Sequence, residues 1–282
     1  MFILYPSGGL GNQMFMIAGT YAMAKTFGHR WYVDQNTHAL GNGNQFMSYS
    51  QNLFWQVPIL SPERKEIVEY GIKNFRFNSQ LMADINGHHT AFDINPHDKN
   101  RIYAIVDSTL LSYKYFAYYR EDILNLFTLP PAEQAELEAL VTQYISNEIP
   151  TVGLHIRRTD YLQHQNVYRI LDEQYYQQAL AHFADLEAYK LLIFTDDVAW
   201  CKANLDFSAY SKQVAYVEEV ADYLSLLLMS KCHHLITANS TFSWWGAYLN
   251  TQPNTRIVMP EKWFSDPNYS NQDIIIPHYI VL

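Results

Sequence analysis

The chain has 282 residues, 49% hydrophobic and 17% charged, so it can bury a substantial core and does not have the composition of a disordered polymer. Its formal net charge of -9 argues against a general nucleic-acid binder, whose affinity rests on a basic field, but leaves room for a local basic pocket that takes a phosphate. The two cysteines, Cys201 and Cys232, lie in no Cys-x-x-Cys motif and make no disulfide framework, as expected in a reducing compartment.

Met1–Pro6 is apolar but short, with no basic leader and no cleavage signal, and no run reaches membrane-span length, so a soluble protein is expected. Phe2–Tyr5 reads as a strand, Gly8–Gly11 as a turn, and Asn12–Phe27 as a helix with Met14, Ala18, Tyr21 and Ala24 on one face. Trp31–Val33 is a second strand. Residues 36–100 are irregular, apart from a helix start at Ser61-Pro62-Glu63, with Ser as cap and Pro in the first turn. Arg101–Val106 reads as a strand and Tyr113–Phe127 as a helix. Pro130-Pro131 interrupts the chain; the helix after it carries Leu137, Leu140, Val141 and Tyr144 on one face. Asn147–Pro150 reads as a linker, which sets two domains, 1–149 and 150–282.

The second half is more regular. Thr151–Ile156, Leu191–Phe194, Val214–Val217, His234–Thr237 and Arg256–Met259 read as strands, the last closing the sheet. Helices are expected at Asp172–Glu187, with Tyr176, Ala179, Leu180 and Phe183 inward, at Asp222–Met229, capped by Asp222, and at Phe242–Leu249. Alternating strand and helix patterns predict α/β architecture with two doubly wound domains.

In open α/β sheets, ligands bind outside the carboxyl ends of the strands. Four predicted strand ends carry polar clusters: Gly8–Gln13, His155–Asp160, Thr195-Asp196-Asp197 and Ala238–Thr241. The glycine loop lets backbone approach a ligand, and the helix after it offers unpaired N–H groups. It partly mimics a dinucleotide fingerprint, with Gly9, Gly11 and then Met14 where a small residue is expected, and Asp34 could serve as a ribose-binding acid. In His155-Ile156-Arg157-Arg158-Thr159-Asp160, alternation sends Leu154, Ile156 and Arg158 to one face and Gly153, His155 and Arg157 to the other. An Arg fork binds a diphosphate through two parallel donors, each charge-assisted bond contributing roughly 1.5–3 kcal/mol. Asp160 could orient an Arg or act in proton transfer. Asp196 and Asp197 could meet ribose hydroxyls, a base or a metal, or Asp197 could simply cap the next helix. Asn239, Ser240 and Thr241 at a helix start form a neutral phosphate cradle or an ordinary N-cap. Trp244-Trp245 suits the core, and the adjacent pairs His88-His89 and His233-His234 point to opposite faces, so no metal site is assigned.

At these residues the chain resembles the α1,2-fucosyltransferase family, the GDP-fucose-dependent glycosyltransferase family 11. The resemblance is carried by Gly8–Gln13 with Phe15, by His155–Asp160, by Asp196-Asp197 followed by Trp200, by Ala238–Leu249 with Tyr248 in place of Trp, and by Pro260-Glu261-Lys262-Trp263. It implies a GT-B type fold, two Rossmann-like doubly wound domains facing a cleft, the first on the acceptor side and the second binding GDP-fucose. It also implies an inverting, metal-independent galactoside α1,2-fucosyltransferase with no cofactor beyond its co-substrate. By that similarity His155 and Arg157 meet the nucleotide and its diphosphate, and Arg158 supports the same site; Arg157 and, from its own position, Asp160 are the candidate catalytic residues, while the resemblance assigns no base. Asp196, Asp197, Asn239, Ser240 and Thr241 line the guanosine and phosphate pocket, and Gly9, Gly11, Asn12 and Gln13 face the fucose and acceptor. Two departures stand out: Ser108–Ser112 replaces a Gly-Tyr-Phe-Gln-Ser-like segment, and no carboxylate follows Asp160 before Asp172. The implied partners are GDP-fucose and a galactose-containing glycan, with no nucleic acid. The implied location is cytoplasmic, peripheral at the inner face of a membrane carrying lipid-linked glycan. Two other readings are a nucleotide-dependent oxidoreductase, suggested by the glycine loop and Asp34, and a non-catalytic carbohydrate- or nucleotide-binding protein.

Overall fold

Short β-branched and aromatic runs separate into two parallel sheets in a computed structural model, which describes residues 1–34, 46–64, 102–105, 110–146, 148–267, 269, 271 and 273–282. Two compact units carry them: Met1–Pro130 with Gln272–Ile274, and Pro131–Asn271 with Ile275–Leu282.

In the first unit, β1 (Phe2–Leu4) lies between β2 (Trp31–Val33) and β3 (Tyr103–Ile105), parallel to both. Helix α1 (Leu10–Thr26) leaves the β1 tip. It starts two residues before the expected Asn12, with Gly9 as N-cap and Gly11 already buried inside the helix. Most of α1 is buried, including Met14, Phe15, Met16, Ile17 and Ala18, so it is a core helix rather than the one-faced helix its spacing suggested. A short helix, α2 (Phe46–Tyr49), follows, and residues 62–64 are helical, with the Ser61 hydroxyl accepting from the Arg64 amide at 3.4 Å. The predicted helix at 113–127 is broken: two 3-10 turns, Tyr113–Tyr115 and Ala117–Tyr119, precede α3 (Arg120–Leu126). Arg101, Val106, Ser108, Thr109, His88 and His89 lie outside the described residues.

The second unit begins with α4 (Pro131–Tyr144). Its strands are β4 (Thr151–Ile156), β5 (Lys190–Thr195), β6 (Gln213–Tyr216), β7 (His234–Ile236), β8 (Ile257–Met259) and β9 (Ile280–Val281), all parallel. The spatial order is β6-β5-β4-β7-β8-β9. Counted from β4, this is 3-2-1-4-5-6, the doubly wound order that reverses between its first and fourth strands. Between the strands run α5 (Thr159–Gln163), α6 (Glu173–Ala181), α7 (Val198–Asn204), α8 (Asp222–Met229) and α9 (Thr241–Tyr248). Val152, Leu154, Ile156, Leu191, Ile193, Ile236 and Val258 share a core with Tyr176, Ala179, Leu180 and Phe183 of the α6 segment, as the helical spacing predicted. Trp244 and Trp245 are fully buried in α9, and the same helix packs on α8 so closely that a Cβ on Gly246 would meet the Met229 sulfur at 2.6 Å.

Three boundaries differ from expectation. The units divide at Pro130/Pro131 rather than 149/150, because α4, whose fully buried residue is Leu137, packs on α8. Asp222 is the first residue of α8, with Ala221 in the cap position. Strand β8 does not close the sheet, because the last residues return as β9, the Leu282 amide donating to the Met259 carbonyl at 3.1 Å.

Candidate active site

Strand β4 is buried along its whole length and pairs with β5 on one side and β7 on the other. The residues after Ile156 therefore leave the sheet where its strand order reverses, flanked by the loops that leave β5 and β7. This is where doubly wound sheets bind ligands.

Carboxylates from two elements hold the first guanidinium there. Arg157 Nε donates to Asp160 Oδ1 at 2.8 Å and lies 3.3 Å from Asp196 Oδ2. The Arg157 side chain keeps 30% of its exposure, and its two outer nitrogens make no hydrogen bond among the described residues. Its guanidinium lies 5.7 Å from the Tyr161 ring centroid. Burial works against the charge, but the Asp160 and Asp196 carboxylates outweigh it and raise the Arg157 pKa.

Asp196 is occupied by backbone. Its Oδ1 accepts from the Arg158 amide at 2.9 Å, and its Oδ2 accepts from the Thr159 amide at 3.2 Å and the Thr159 hydroxyl at 2.6 Å. It ties the β5 loop to the start of α5 and so fixes where both arginines emerge. Asp197 caps α7 by accepting from the Trp200 amide at 3.2 Å, and its other oxygen lies 3.6 Å from Arg158 Nε. Asp196 thus serves the loop, and Asp197 serves as the helix cap that its position also suggested. Arg158 rests on an aromatic face, with its guanidinium carbon 3.2 Å from the Trp200 ring centroid.

His155 and Arg158 meet different helices, His155 facing Phe242 of α9 and Arg158 facing Trp200 of α7. His155 is buried at 4% exposure, its ring 5.4 Å from Phe242 of α9, and its Nδ1 has no hydrogen-bond partner among the described residues. Burial and the nearby Arg157 charge push its pKa down to about 3, so the ring is neutral. It is a buried neighbour of the α9 start.

The β7 loop supplies that helix start. The Ser240 hydroxyl accepts from the Phe242 amide at 3.3 Å, and Thr241 is the first residue of α9. Asn239 is 2% exposed, and its amide donates to the carbonyls of Arg169 at 2.7 Å and Trp263 at 2.8 Å. It anchors the loop from inside. The buried Tyr161 hydroxyl donates to the Asn239 carbonyl at 2.7 Å, joining the β4 and β7 loops. Tyr161 also stacks on Tyr168 at 4.4 Å and 11°. Sequence reasoning missed Thr159, Tyr161 and Tyr168. Tyr161 could have been found as the residue four after Arg157 on a short helix, but nothing local marks Tyr168.

In the first unit the glycine turn stands by itself. Gly8 has φ +75, and Gln13, 1% exposed, donates from Nε2 to the Gly8 carbonyl at 2.8 Å while its buried Oε1 has no partner among the described residues. A Cβ on Gly9 would meet nothing within 4 Å. Gln13 therefore shapes the turn, and Gly9 borders open space. Asp34, at the β2 end, is buried at 4% exposure. His233 and His234 are structural: each Nδ1 accepts a backbone amide at 3.0 Å, from Thr151 and Arg256 respectively. Among the described residues no group of three His, Cys, Asp or Glu is placed to hold a metal ion, and no helix is long and apolar enough to cross a membrane.

Two parallel α/β units, the second in doubly wound strand order with a guanidinium pair at its reversal point, have the architecture of the GT-B class of fold. Solved structures agree on the fold. POFUT1 in complex with GDP-fucose is similar with a TM-score of 0.56 at 13% identity, covering 92% of this chain and 97% of that one. Fucosyltransferase NodZ from Bradyrhizobium gives 0.51 at 14% identity, covering 87% and 91%. The chain belongs to glycosyl transferase family 11, whose model matches residues 1–282. Among its relatives, the O-antigen biosynthesis glycosyltransferase WbnK of Escherichia coli is 29% identical, covering 94% of this chain and 95% of that protein. The galactoside alpha-(1,2)-fucosyltransferase 1 of Homo sapiens is 27% identical, covering 87% of this chain and 64% of that protein.

Proposed function

We propose that this glycosyltransferase moves L-fucose from GDP-β-L-fucose to the 2-OH of a galactoside, with inversion at the anomeric carbon. The observation that carries the proposal is the Arg157–Arg158 pair at the reversal point of the second sheet, beside the start of α9. The acceptor oxygen forms a bond to the anomeric carbon as the bond to GDP breaks. Charge builds on the departing diphosphate, and fixed positive groups stabilise it most where no reorganisation is needed. Arg157 offers the outer edge of its guanidinium, Arg158 adds a second positive charge, and Ser240 and Thr241 bring the α9 N-terminus to the same place. Asp160 orients Arg157 through Oδ1. Its Oδ2 makes no hydrogen bond among the described residues and is the candidate acceptor of the hydroxyl proton. Gly9 faces the sugar from the turn of the first unit, with Gly11, Asn12 and Gln13 behind it in the first turn of α1.

The donor assignment draws support from the NodZ and POFUT1 structures determined with GDP or GDP-fucose, and the linkage from the human relative's name. The O-antigen role in the WbnK name favours a bacterial surface-polysaccharide precursor as acceptor, met on the cytoplasmic face of a membrane. A second E. coli relative, 25% identical, is named an alpha-1,2-colitosyltransferase, which keeps the linkage and changes the sugar. The test is GDP release from GDP-fucose, GDP-mannose and activated colitose over a panel of galactosides. Acceptor-dependent release from GDP-fucose alone is expected, and none above background would end the proposal. Two arginines in place of a cation also make the reaction metal-independent, so turnover is expected to survive a chelator. Loss on chelation with recovery in Mg²⁺ or Mn²⁺ would refute that part.

A further inference from the structure

The two arginines of the site are held by different physics. Arg157 is fixed by carboxylates, at 2.8 Å from Asp160 and 3.3 Å from Asp196. Arg158 is held more loosely. Among the described residues its buried Nε makes no hydrogen bond, and its one ion pair, with Asp197, is 3.6 Å long. Its side chain keeps 15% exposure, and its guanidinium carbon sits 3.2 Å from the Trp200 ring centroid. An aromatic face attracts a guanidinium without using any of its N–H donors. Trp200 is itself fixed at both ends: its amide is the one capped by Asp197, and its ring is partly buried against the core of the second unit.

We infer that Trp200 is a positioning residue that holds the Arg158 guanidinium flat and leaves its outer N–H groups available to the anionic half of a nucleoside diphosphate. The inference rests on the proposed nucleotide reading and extends it to a residue that does not itself touch the diphosphate. A carboxylate in the same place would hold Arg158 as firmly but would compete with the phosphate for its donors. An aliphatic side chain would leave a buried guanidinium with several rotamers and no attraction to choose among them.

The test measures binding of GDP and of guanosine by calorimetry to wild type, Trp200→Leu, Trp200→Phe, Arg158→Lys and the Trp200→Leu/Arg158→Lys double variant. Trp200→Leu is expected to weaken GDP by about tenfold, the scale of a partly desolvated cation–π contact, with guanosine unchanged. Trp200→Phe keeps a ring face and is expected to recover most of the loss. Arg158→Lys loses the planar fork and is expected to lose as much as Trp200→Leu, and the double variant no more than either, because one interaction is being removed twice. If Trp200→Leu does not fold, the Trp200→Phe and Arg158→Lys measurements still decide the matter. Wild-type GDP affinity in Trp200→Leu or Arg158→Lys would overturn the inference. So would a Trp200→Phe loss as large as that of Arg158→Lys, or equal losses for GDP and guanosine, which would mark a nucleobase contact or a packing role. A wild-type protein that binds no GDP would remove the nucleotide reading itself, a different result from a binding protein that ignores Trp200.

Discussion

Arg157 and Asp196 together show what a single chain position does and does not disclose. The hexapeptide His155–Asp160 marked the basic strand end correctly, because two adjacent arginines at the tip of an apolar strand have few structural uses. Asp196 stands out in the sequence only as an acid at a strand end; its Arg158 and Thr159 amide donors come within reach only once β4 and β5 pair. Asp197 was legible in its plainer sense, as a helix cap three residues before the amide it accepts. Replacing Arg157 with Ala should lower kcat/KM for GDP-fucose by about 10²–10³-fold. Arg157→Lys should recover little, since a point charge cannot reproduce the fork. Rates of GDP release near wild type in Arg157→Ala would remove it from the mechanism. His155 has a different signature. The folded ring has a pKa of about 3 against an ordinary 6.5, so the unfolded chain binds a proton that the native state refuses. Its contribution is complete above pH 6.5 and is lost as pH falls toward 3. The loss reaches about 2 kcal/mol by pH 5. Denaturant titrations should show His155→Phe with a shallower fall in stability between pH 6.5 and 5 than wild type; parallel curves would contradict a buried neutral ring.

At the scale of elements, the strands and most helices follow from periodicity, and the failures have local causes. Four residues with three glycines read as a turn, but only Gly8 needs one, at φ +75; Gly11 is buried inside the helix. The 113–127 stretch has helical spacing, but the Ser112 hydroxyl accepts from the Lys114 amide at 3.3 Å and starts a 3-10 turn instead. The two-residue strand β9 is too short to leave a pattern, and it forms because β8 has a free edge. The glycine turn allows two substitutions with opposite expectations. Gly8→Ala forces a side chain into the left-handed region and puts its Cβ 2.9 Å from Asn12 Nδ2, so it should cost about 1–2 kcal/mol and lower Tm. Gly9 is extended, and its Cβ would meet no atom within 4 Å, so Gly9→Ala should leave Tm unchanged. If that open space takes the sugar, Gly9→Ala should raise the KM for donor or acceptor severalfold. Unchanged KM values for both would take the turn out of the sugar site.

For the whole molecule, the path of the last residues matters more than any motif. The chain returns to the first unit at Gln272–Ile274 and then rejoins the second as β9. The stop in the first unit is tied down: the Tyr113 amide donates to the Asp273 carbonyl at 3.2 Å, and the Lys114 ammonium pairs with the Asp273 carboxylate. Asp273 is 5% exposed, whereas Lys114 is 49% exposed, so removing the lysine leaves a buried charge short of its cation. Lys114→Met is expected to cost about 1–3 kcal/mol, felt in the first unit. Deleting residues 280–282 should act elsewhere, because it removes the bonds from the Leu282 amide to Met259 and from the Glu261 amide to the Leu282 carbonyl. Hydrogen exchange separates the two effects. The lysine variant should speed exchange across 110–116 and leave 257–259 slow, the truncation should do the reverse, and their stability losses should add when combined. Faster exchange in both regions from either change alone would mean that the tail acts as one strap, with Asp273 and β9 stabilising each other, and not as two independent anchors.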